Sequence, residues 1–516
     1  MPRGFTDLHM MGTKESMVQD GIGAARLALK DCGVRLINGV PGYPINHLFT
    51  ALQNDKNIDA RWQYNEKIAF EMAMGASVLG ERAAVVCKHV GVNILSDPLI
   101  ISSTHGIGAG IVVIAGDDVG AAFSNDEQDS RWYGKLAEIP VFDPATPQDI
   151  YESITFGIEL SERINAPVLV RVTEKALNEK GAVSGKKIPN EHKQLDRSLW
   201  LNTMLGSHQR YLRDGWSLAL NDANRSPLNS SIKRGKKGII SSGHSSIAAA
   251  QVADSLGMSH LSLCFLNPFP GDLVDDFVMG LDAVLVCEEI APFIEEQIGL
   301  RKVHGRLTGH LPRAGPLDET SIREGVEQID APLVQRTIKP QTMKDRGYSV
   351  GHCAECSYQS VYRAIKSLSV PVAGDAGCSI ISANPPYSML NVMCGLGSSV
   401  SSACGFPTKG IAMMGDFALL HTGLQALVNA KLNGYDLLVV IFANGEAAMT
   451  GGQQLPDVTG LLKDIFKDDC VLSDASELSE EQVKSDLEKL FKAPGLKIYV
   501  VTSSCPVNHK FPTNPL

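Results

Sequence analysis

Apolar residues along the chain gather into short runs separated by amphipathic stretches. Between residues 15 and 185 the runs 35–39, 83–87, 111–115 and 167–172 read as buried strands, and 21–32 and 66–79 as helices between them. That alternation predicts a parallel sheet with helices on both faces. The rhythm returns in 236–335, with strands expected at 238–241, 261–266 and 283–286. It returns again from 351, with strands expected at 371–373, 411–414, 437–443 and 497–502. Residues 186–235 are polar and irregular around one helical stretch, 199–212. The expected fold is α/β with three doubly wound domains, 1–185, 236–335 and 351–516, joined by linkers at 186–235 and 336–350.

The bulk numbers narrow the function classes. At 516 residues the chain has room for about three domains of ~150 residues. A net charge of −10 argues against a nucleic-acid or anionic-membrane partner. The basic run Lys233-Arg234-Gly235-Lys236-Lys237 is isolated and reads as a solvated linker. No run reaches the ~18 apolar residues of a membrane helix, and residues 1–12 lack the apolar core of a signal peptide, so a cytoplasmic protein is expected. Eleven cysteines do not imply a paired disulfide framework; clustered cysteines in a reducing compartment signal metal or redox chemistry.

The stretch 411–452 carries the densest chemistry. A strand ends at Gly415-Asp416, a helical segment follows with Leu419, Leu424, Leu427 and Val428 on one stripe, and a second strand ends at Asn444. Asp416 and Asn444 thus lie just past the carboxyl ends of two strands, the edge where open parallel sheets bind ligands. Their oxygens suit Mg²⁺ and a diphosphate, and amide N–H groups at the helix start suit phosphate oxygens. Cys353-x-x-Cys356, Cys378 and Cys505 form a second set. CxxC alone is compatible with zinc, redox chemistry or chance. The second CxxC of a zinc ribbon is absent, and four thiolates would suit a [4Fe–4S] cluster. Cys32, Cys87, Cys264, Cys287, Cys394 and Cys404 read as buried, unpaired thiols.

Gly-Asp followed by a distant Asn resembles the diphosphate motif of thiamine diphosphate enzymes, with Phe417 in place of the usual glycine. The tail from Asn444 through Ala448-Met449-Thr450 to Gln453, with His421-Thr422-Gly423, resembles the α subunits of indolepyruvate:ferredoxin oxidoreductases, in the superfamily of thiamine diphosphate-dependent 2-oxoacid:ferredoxin oxidoreductases. The strings Pro41-Gly42-Tyr43-Pro44, Asn65-Glu66-Lys67, Lys88-His89-Val90-Gly91 and Asn125-x-Glu127-Gln128-Asp129-Ser130-Arg131 occur in that family's order and extend the resemblance. It implies a pyrimidine-binding domain at 1–185, a transketolase C-terminal-like domain at 236–335 and a diphosphate domain at 351–516.

The resemblance also implies the roles. Asp416, Asn444 and the Glu446 carbonyl would bind Mg²⁺, with Gly415, Phe417, Ala448, Met449 and Thr450 around the diphosphate. Pro41, Gly42 and Tyr43 would contact the cofactor, and Glu66 would serve N1′ of the aminopyrimidine. His89 and His421 are expected as substrate-carboxylate or proton-transfer groups, and Tyr43, Trp132 and Tyr133 lie among the expected neighbours of the site. Cys353, Cys356, Cys378 and Cys505 match the family's iron–sulfur ligands, although Cys353-Ala354-Glu355-Cys356-Ser357-Tyr358 departs from the usual Cys-Pro-Gly-Cys-Pro-His. No ferredoxin-like cysteine run occurs before Leu516, so the expectation covers the core that holds thiamine diphosphate. Glu288-Glu289-x-x-Pro292-Phe293-x-Glu295-Glu296-Gln297 is expected as a helix start or a subunit contact. The implied activity is oxidative decarboxylation of a 2-oxo acid such as indolepyruvate by a homodimeric core. A ferredoxin-like acceptor, coenzyme A and a γ-type subunit are the implied partners. The alternative is a non-oxidative decarboxylase or carboligase.

Overall fold

A computed structural model describes residues 17–336 and 351–506. Residues 337–350, nearly all of the expected second linker, lie outside the described residues, as do the first 16 and the last ten. The chain divides into two compact units, one ending at Pro340 and the other starting at Gln341.

Among the described residues the first unit contains two large sheets and an antiparallel pair, Met17–Asp20 with Lys180–Val183. The larger runs Phe265–Asn267, Val141–Phe142, Val168–Thr173, Ile111–Asp117, Ala83–Lys88, Leu36–Gly39, Asp59–Trp62, and only its first strand is antiparallel. Its central strands are buried on both faces and read as apolar runs, interrupted by Arg171 in Val168–Thr173 and ended by Lys88 and Asp117 in the other two. Helix Gly21–Asp31 opens on Asp20, whose carboxylate accepts the Gly23 N–H, and Pro147–Ile164 opens on a Thr146–Asp149 capping box. The second sheet runs Val303–His304, Ala283–Cys287, Lys237–Ser242, Ser259–Leu263, Ser230–Ile232, the last strand antiparallel.

The strand expected at 261–266 is in fact two. Ser259–Leu263 belongs to the second sheet and Phe265–Asn267 to the first. Asn229 fixes the crossing: its Oδ1 accepts the Cys264 and Phe265 N–H groups and its Nδ2 donates to the Phe265 carbonyl. The region read as a linker holds more helix than expected, with Met204–Arg210, a π turn at Tyr211–Trp216 and Ser217–Asn224.

The two motif strings left without chemistry meet inside this unit. Arg131 is buried and donates to Asp129, Glu288, Ser242 and the Ala291 carbonyl. Arg171 bridges Asp117 and Asp143, and Ser242 also donates to Asp143. The acidic run does start a helix, Glu295–Ile298, with Glu295 and Glu296 in its first turn, and its buried carboxylates do more: Glu288 accepts the Ile294 and Glu295 N–H groups, and Glu289 accepts that of Leu317. Its carboxylates hold the second sheet's loops to the first sheet's edge. Trp132 packs edge-on against Phe293 in the same contact, and Tyr133 packs against the core beside it.

The second unit is a five-stranded, all-parallel sheet ordered Val372–Ala373, Ile411–Gly415, Leu438–Ala443, Lys497–Thr502, Cys470–Asp474. After Gly415 the chain is helical from Asp416 to Leu432, but Leu419–Gly423 forms a π turn. The extra residue shifts the helical phase. Leu419 and Leu427 are buried, whereas Val428 is 37% exposed and Ala426 and Ala430 take the inner positions, so the expected stripe is corrected. Among the described residues no helix is long and apolar enough to cross a membrane.

Candidate active site

The candidate residues occupy one surface in each unit. In the first, they line the carboxyl ends of strands Leu36–Gly39, Ala83–Lys88 and Ile111–Asp117. Helix Glu66–Val78 begins at Glu66, and its N-cap Asn65 accepts the Lys67 N–H. Glu66 is 4% exposed and lies against Gly91, where an added Cβ would stand 2.5 Å from Glu66 Oε1. His89 opens the neighbouring helix His89–His105 and is 1% exposed. Neither ring nitrogen has a hydrogen-bond partner among the described residues, and Asp126 Oδ1 stands 3.7 Å from Nε2. Burial, then the Lys88 charge, lower its pKa to about 4, so the imidazole is neutral at pH 7.

Pro41-Gly42-Tyr43-Pro44 forms the turn after Leu36–Gly39, and the Gly42 N–H donates to Asn46 Oδ1 at 2.6 Å. Tyr43 stacks at a tilt on Phe123, 4.6 Å between centroids. Burial, then Glu174 and Asp118, push its phenol up. Lys88 donates to Ser124 Oγ at 2.8 Å, and its stem fills the space a Cβ at Gly42 would need. The loop bearing Ser124 is shaped by Asp118, which accepts the Ala122 and Phe123 N–H groups.

The second surface is the carboxyl edge of the five-stranded sheet. Asp416 is 3% exposed; its Oδ1 accepts the Phe417 N–H at 2.9 Å and its Oδ2 the Gly445 N–H at 2.7 Å. Desolvation still dominates and pushes its pKa up to about 6. A carboxylate so placed is one a divalent cation would satisfy. Asn444 Oδ1 accepts the Glu446 N–H at 3.1 Å. Glu446–Ala447 pairs with Gln453–Gln454, and Ala448–Thr450 makes the turn between them, Met449 exposed and Thr450 Oγ1 bonded to Gln453. A cleft of about 490 Å³ runs from Asp416 and Asn444 past Asp457 and Thr459 to Asp474 and Ser504. Buried His421 sits in the π turn, 6.4 Å from the Phe417 ring.

The four cysteines expected together do share a neighbourhood. Cys356, Cys505 and Cys353 each act electrostatically on Cys378, whose thiol desolvation pushes up to about 12. Tyr358 feels Asp416 together with Cys356, Cys505 and Cys378. Among the described residues no three metal-ligating side chains are arranged tightly enough to hold an ion as they stand. Of the thiols read as inert, Cys32, Cys87, Cys264 and Cys287 are buried, but Cys394 is exposed and Cys404 half-buried.

Sequence reasoning missed Lys88 and Asp375. Asp375 faces the amides of Gly397–Ser399, yet burial holds its carboxyl up to about 8. Its place in Gly374-Asp375-Ala376-Gly377-Cys378 was the only signal. Lys88 adjoins His89 in a string already singled out, and a lysine directly after a fully apolar strand was the sign to follow.

The first unit carries a buried carboxylate at a helix start, and the second an Asp and an Asn at a parallel sheet edge, the residue types on which the resemblance to thiamine pyrophosphate enzymes rests. Family models agree: the N-terminal TPP binding domain matches residues 24–125 and the C-terminal TPP binding domain residues 375–511. Indolepyruvate oxidoreductase subunit IorA of Methanothermobacter thermautotrophicus is 31% identical over 489 residues, covering 88% of this chain and 78% of that protein. Its counterpart in Methanothermobacter marburgensis is 30% identical over 469 residues, 84% and 76% of the two chains. The chain belongs to this IorA family of thiamine diphosphate-dependent 2-oxoacid oxidoreductases. Sulfopyruvate decarboxylase subunit alpha of Methanocaldococcus jannaschii is 27% identical over 145 residues, 27% of this chain and 86% of that one.

Proposed function

We propose that the chain, with Mg²⁺ and thiamine diphosphate, oxidatively decarboxylates an arylpyruvate such as indolepyruvate in the cytoplasm and delivers electrons to a ferredoxin-like acceptor. The observation that carries this reading is the gathering of Cys353, Cys356, Cys378 and Cys505 in the unit that bears Asp416, with Tyr358 in electrostatic reach of Asp416 and three of the thiols. A homodimeric core, coenzyme A as acyl acceptor and a γ-type subunit belong to the same proposal.

Asp416, Asn444 and the Glu446 carbonyl would hold Mg²⁺ and the diphosphate, with Gly415, Phe417, Ala448, Met449 and Thr450 around them. Pro41, Gly42, Tyr43 and Glu66 would hold the aminopyrimidine. Bound thiamine diphosphate supplies a nucleophilic carbon for the keto group and an electron sink for the bond to carbon dioxide. The four cysteines would hold a [4Fe–4S] cluster, which supplies one-electron transfer. Glu66 would hold a proton at N1′. His89, neutral in its buried position, would accept or return a proton through Nε2, with His421 as a second such group.

The test is anaerobic purification, with iron and sulfide assays and EPR before and after adding indolepyruvate. A cluster signal that becomes reduced supports the proposal; a chain without iron refutes the electron path. The second reading, non-oxidative decarboxylation or carboligation, draws on the similarity of 145 residues to a decarboxylase subunit. Aldehyde or acyloin released without an electron acceptor would favour it.

A further inference from the structure

A 2-oxo acid carries its carboxylate into the site before losing it, and a cation there would hold it more strongly than neutral donors. Elsewhere in the first unit Arg131 and Arg171 are held in buried ion pairs, with Arg171 Nη2 left without a partner among the described residues. His89 is neutral. Lys88 remains. Its three N–H groups include one bond, to Ser124 Oγ, and among the described residues no carboxylate lies within 4.0 Å of its nitrogen. Asp118, Asp126 and Glu66 act on it only from farther off, and Asp118 has spent both oxygens on backbone N–H groups.

Two further features mark a built position. Gly42 leaves room for the lysine stem, since a Cβ there would meet Lys88 Cδ at 2.7 Å and Cγ at 2.9 Å. The stem is therefore confined, and the ammonium with it. Beside it the His89 imidazole is buried, near the Gly116 backbone and 3.7 Å from Asp126, with no close hydrogen bond at either nitrogen among the described residues, a polar group that a ligand could satisfy.

We infer that the Lys88 ammonium anchors the carboxylate of the 2-oxo acid, in the recess bounded by Gly42, Ser124 and His89. The inference rests on the proposed 2-oxo acid chemistry and deepens it. A strong hold on the carboxylate would oppose its departure as carbon dioxide. Three distant acids temper that hold, so Lys88 governs capture more than turnover.

Lys88→Met and Lys88→Arg in the full chain test this, with indole-3-acetate as a carboxylate probe that does not react. Calorimetry with the probe, KM and kcat for indolepyruvate, and thiamine diphosphate affinity are measured together. Lys88→Met should weaken probe binding and raise KM roughly tenfold to a hundredfold, the scale of a lost charge-assisted hydrogen bond. Cofactor affinity should stay within about twofold, and Lys88→Arg should retain most of the binding. Ser124→Ala, which loosens the ammonium without removing it, should raise KM less. Unchanged probe binding and KM in Lys88→Met overturn the assignment, as does an equal loss of cofactor affinity. A wild-type chain that binds thiamine diphosphate but neither the probe nor indolepyruvate refutes the substrate reading itself. An active wild type with an unaffected Lys88→Met refutes Lys88 alone.

Discussion

Gly91→Ala is a one-atom perturbation aimed at Glu66. Gly91 lies in the first turn of helix His89–His105, and its new Cβ would stand 2.5 Å from Glu66 Oε1, 2.7 Å from Cγ and 2.9 Å from Cδ. Ordinary contact begins at 3.4 Å, so the carboxyl must retreat by about 1 Å or change rotamer. Overpacking of this size costs about 1–3 kcal/mol. The better helix propensity of alanine offsets about 1 kcal/mol of that, so the melting temperature should fall only a few degrees. Function should fall much further, because a displacement of ~1 Å in a positioning group lowers rate by about 10²-fold. The assay is thiamine diphosphate-dependent turnover of indolepyruvate, alongside cofactor titration and a thermal melt. Gly91→Ala in a Glu66→Gln background should add nothing, since both act on one carboxyl. Wild-type turnover in Gly91→Ala, or full additivity with Glu66→Gln, would show that Glu66 does not work from the position described.

Arg131→Met should destabilise the first unit by about 3–5 kcal/mol, because it strands the buried Asp129 and Glu288 carboxylates; a urea titration giving under ~1 kcal/mol would refute the pairing. Burial lowers His260 to about 4, so its contribution is full above the unfolded value near 6.5 and is lost as pH falls toward 4. Wild type should therefore lose about 2 kcal/mol relative to His260→Gln between pH 7 and pH 5, read by paired denaturant curves. Burial acts oppositely on the acids, holding Asp117 up to about 6 and Glu288 up to about 7; their contribution fades as pH rises through those values, which is why the paired difference is the readout. Cys378→Ser should abolish iron retention in anaerobic preparations, and Cys394→Ser, at an exposed thiol outside the four, should leave it intact.

The interior strands were legible because a parallel sheet covered on both faces demands unbroken apolar runs. Edge strands carry no such demand. Asp59–Trp62 alternates exposed and half-buried residues, and Cys470–Asp474 has one fully buried residue, so neither stood out. The π turn at Leu419–Gly423 was invisible because one extra residue changes only phase, and the apolar stripe was read at constant phase. The candidate residues Glu66, His89, Asp416 and Asn444 were legible as local strings at strand or helix ends. Burial of Glu288 and Arg131 was not, because each is stable inside only with the other, and they are far apart in sequence. Only the topology, in which Phe265–Asn267 crosses to the first sheet, brings their loops together.

That buried cluster bears on the recess through a closed loop. The chain leaves the first sheet at Asp117 and returns to it at Ser130, whose N–H and hydroxyl both donate to the Asp117 carboxylate. Arg171 grips Asp117 from below. Asp129 and Arg131 pin the far end to Glu288 and Ala291. Between the pins, Glu127 accepts the Gly120 and Gly315 N–H groups. The loop has little freedom left, and what it presents is Ser124 against Lys88 and Asp126 toward His89. Fixing a polar loop with buried ion pairs is costly in desolvation, yet it would set the proposed ammonium and imidazole before a substrate arrives, where flexible residues would lose binding energy to ordering. The strings Glu127–Arg131 and Glu288–Glu289 would therefore act on the proposed recess from a distance. Arg131→Met should raise the KM for indolepyruvate as well as lower stability, and an Arg131→Met protein that remains folded with an unchanged KM would separate the cluster from the recess.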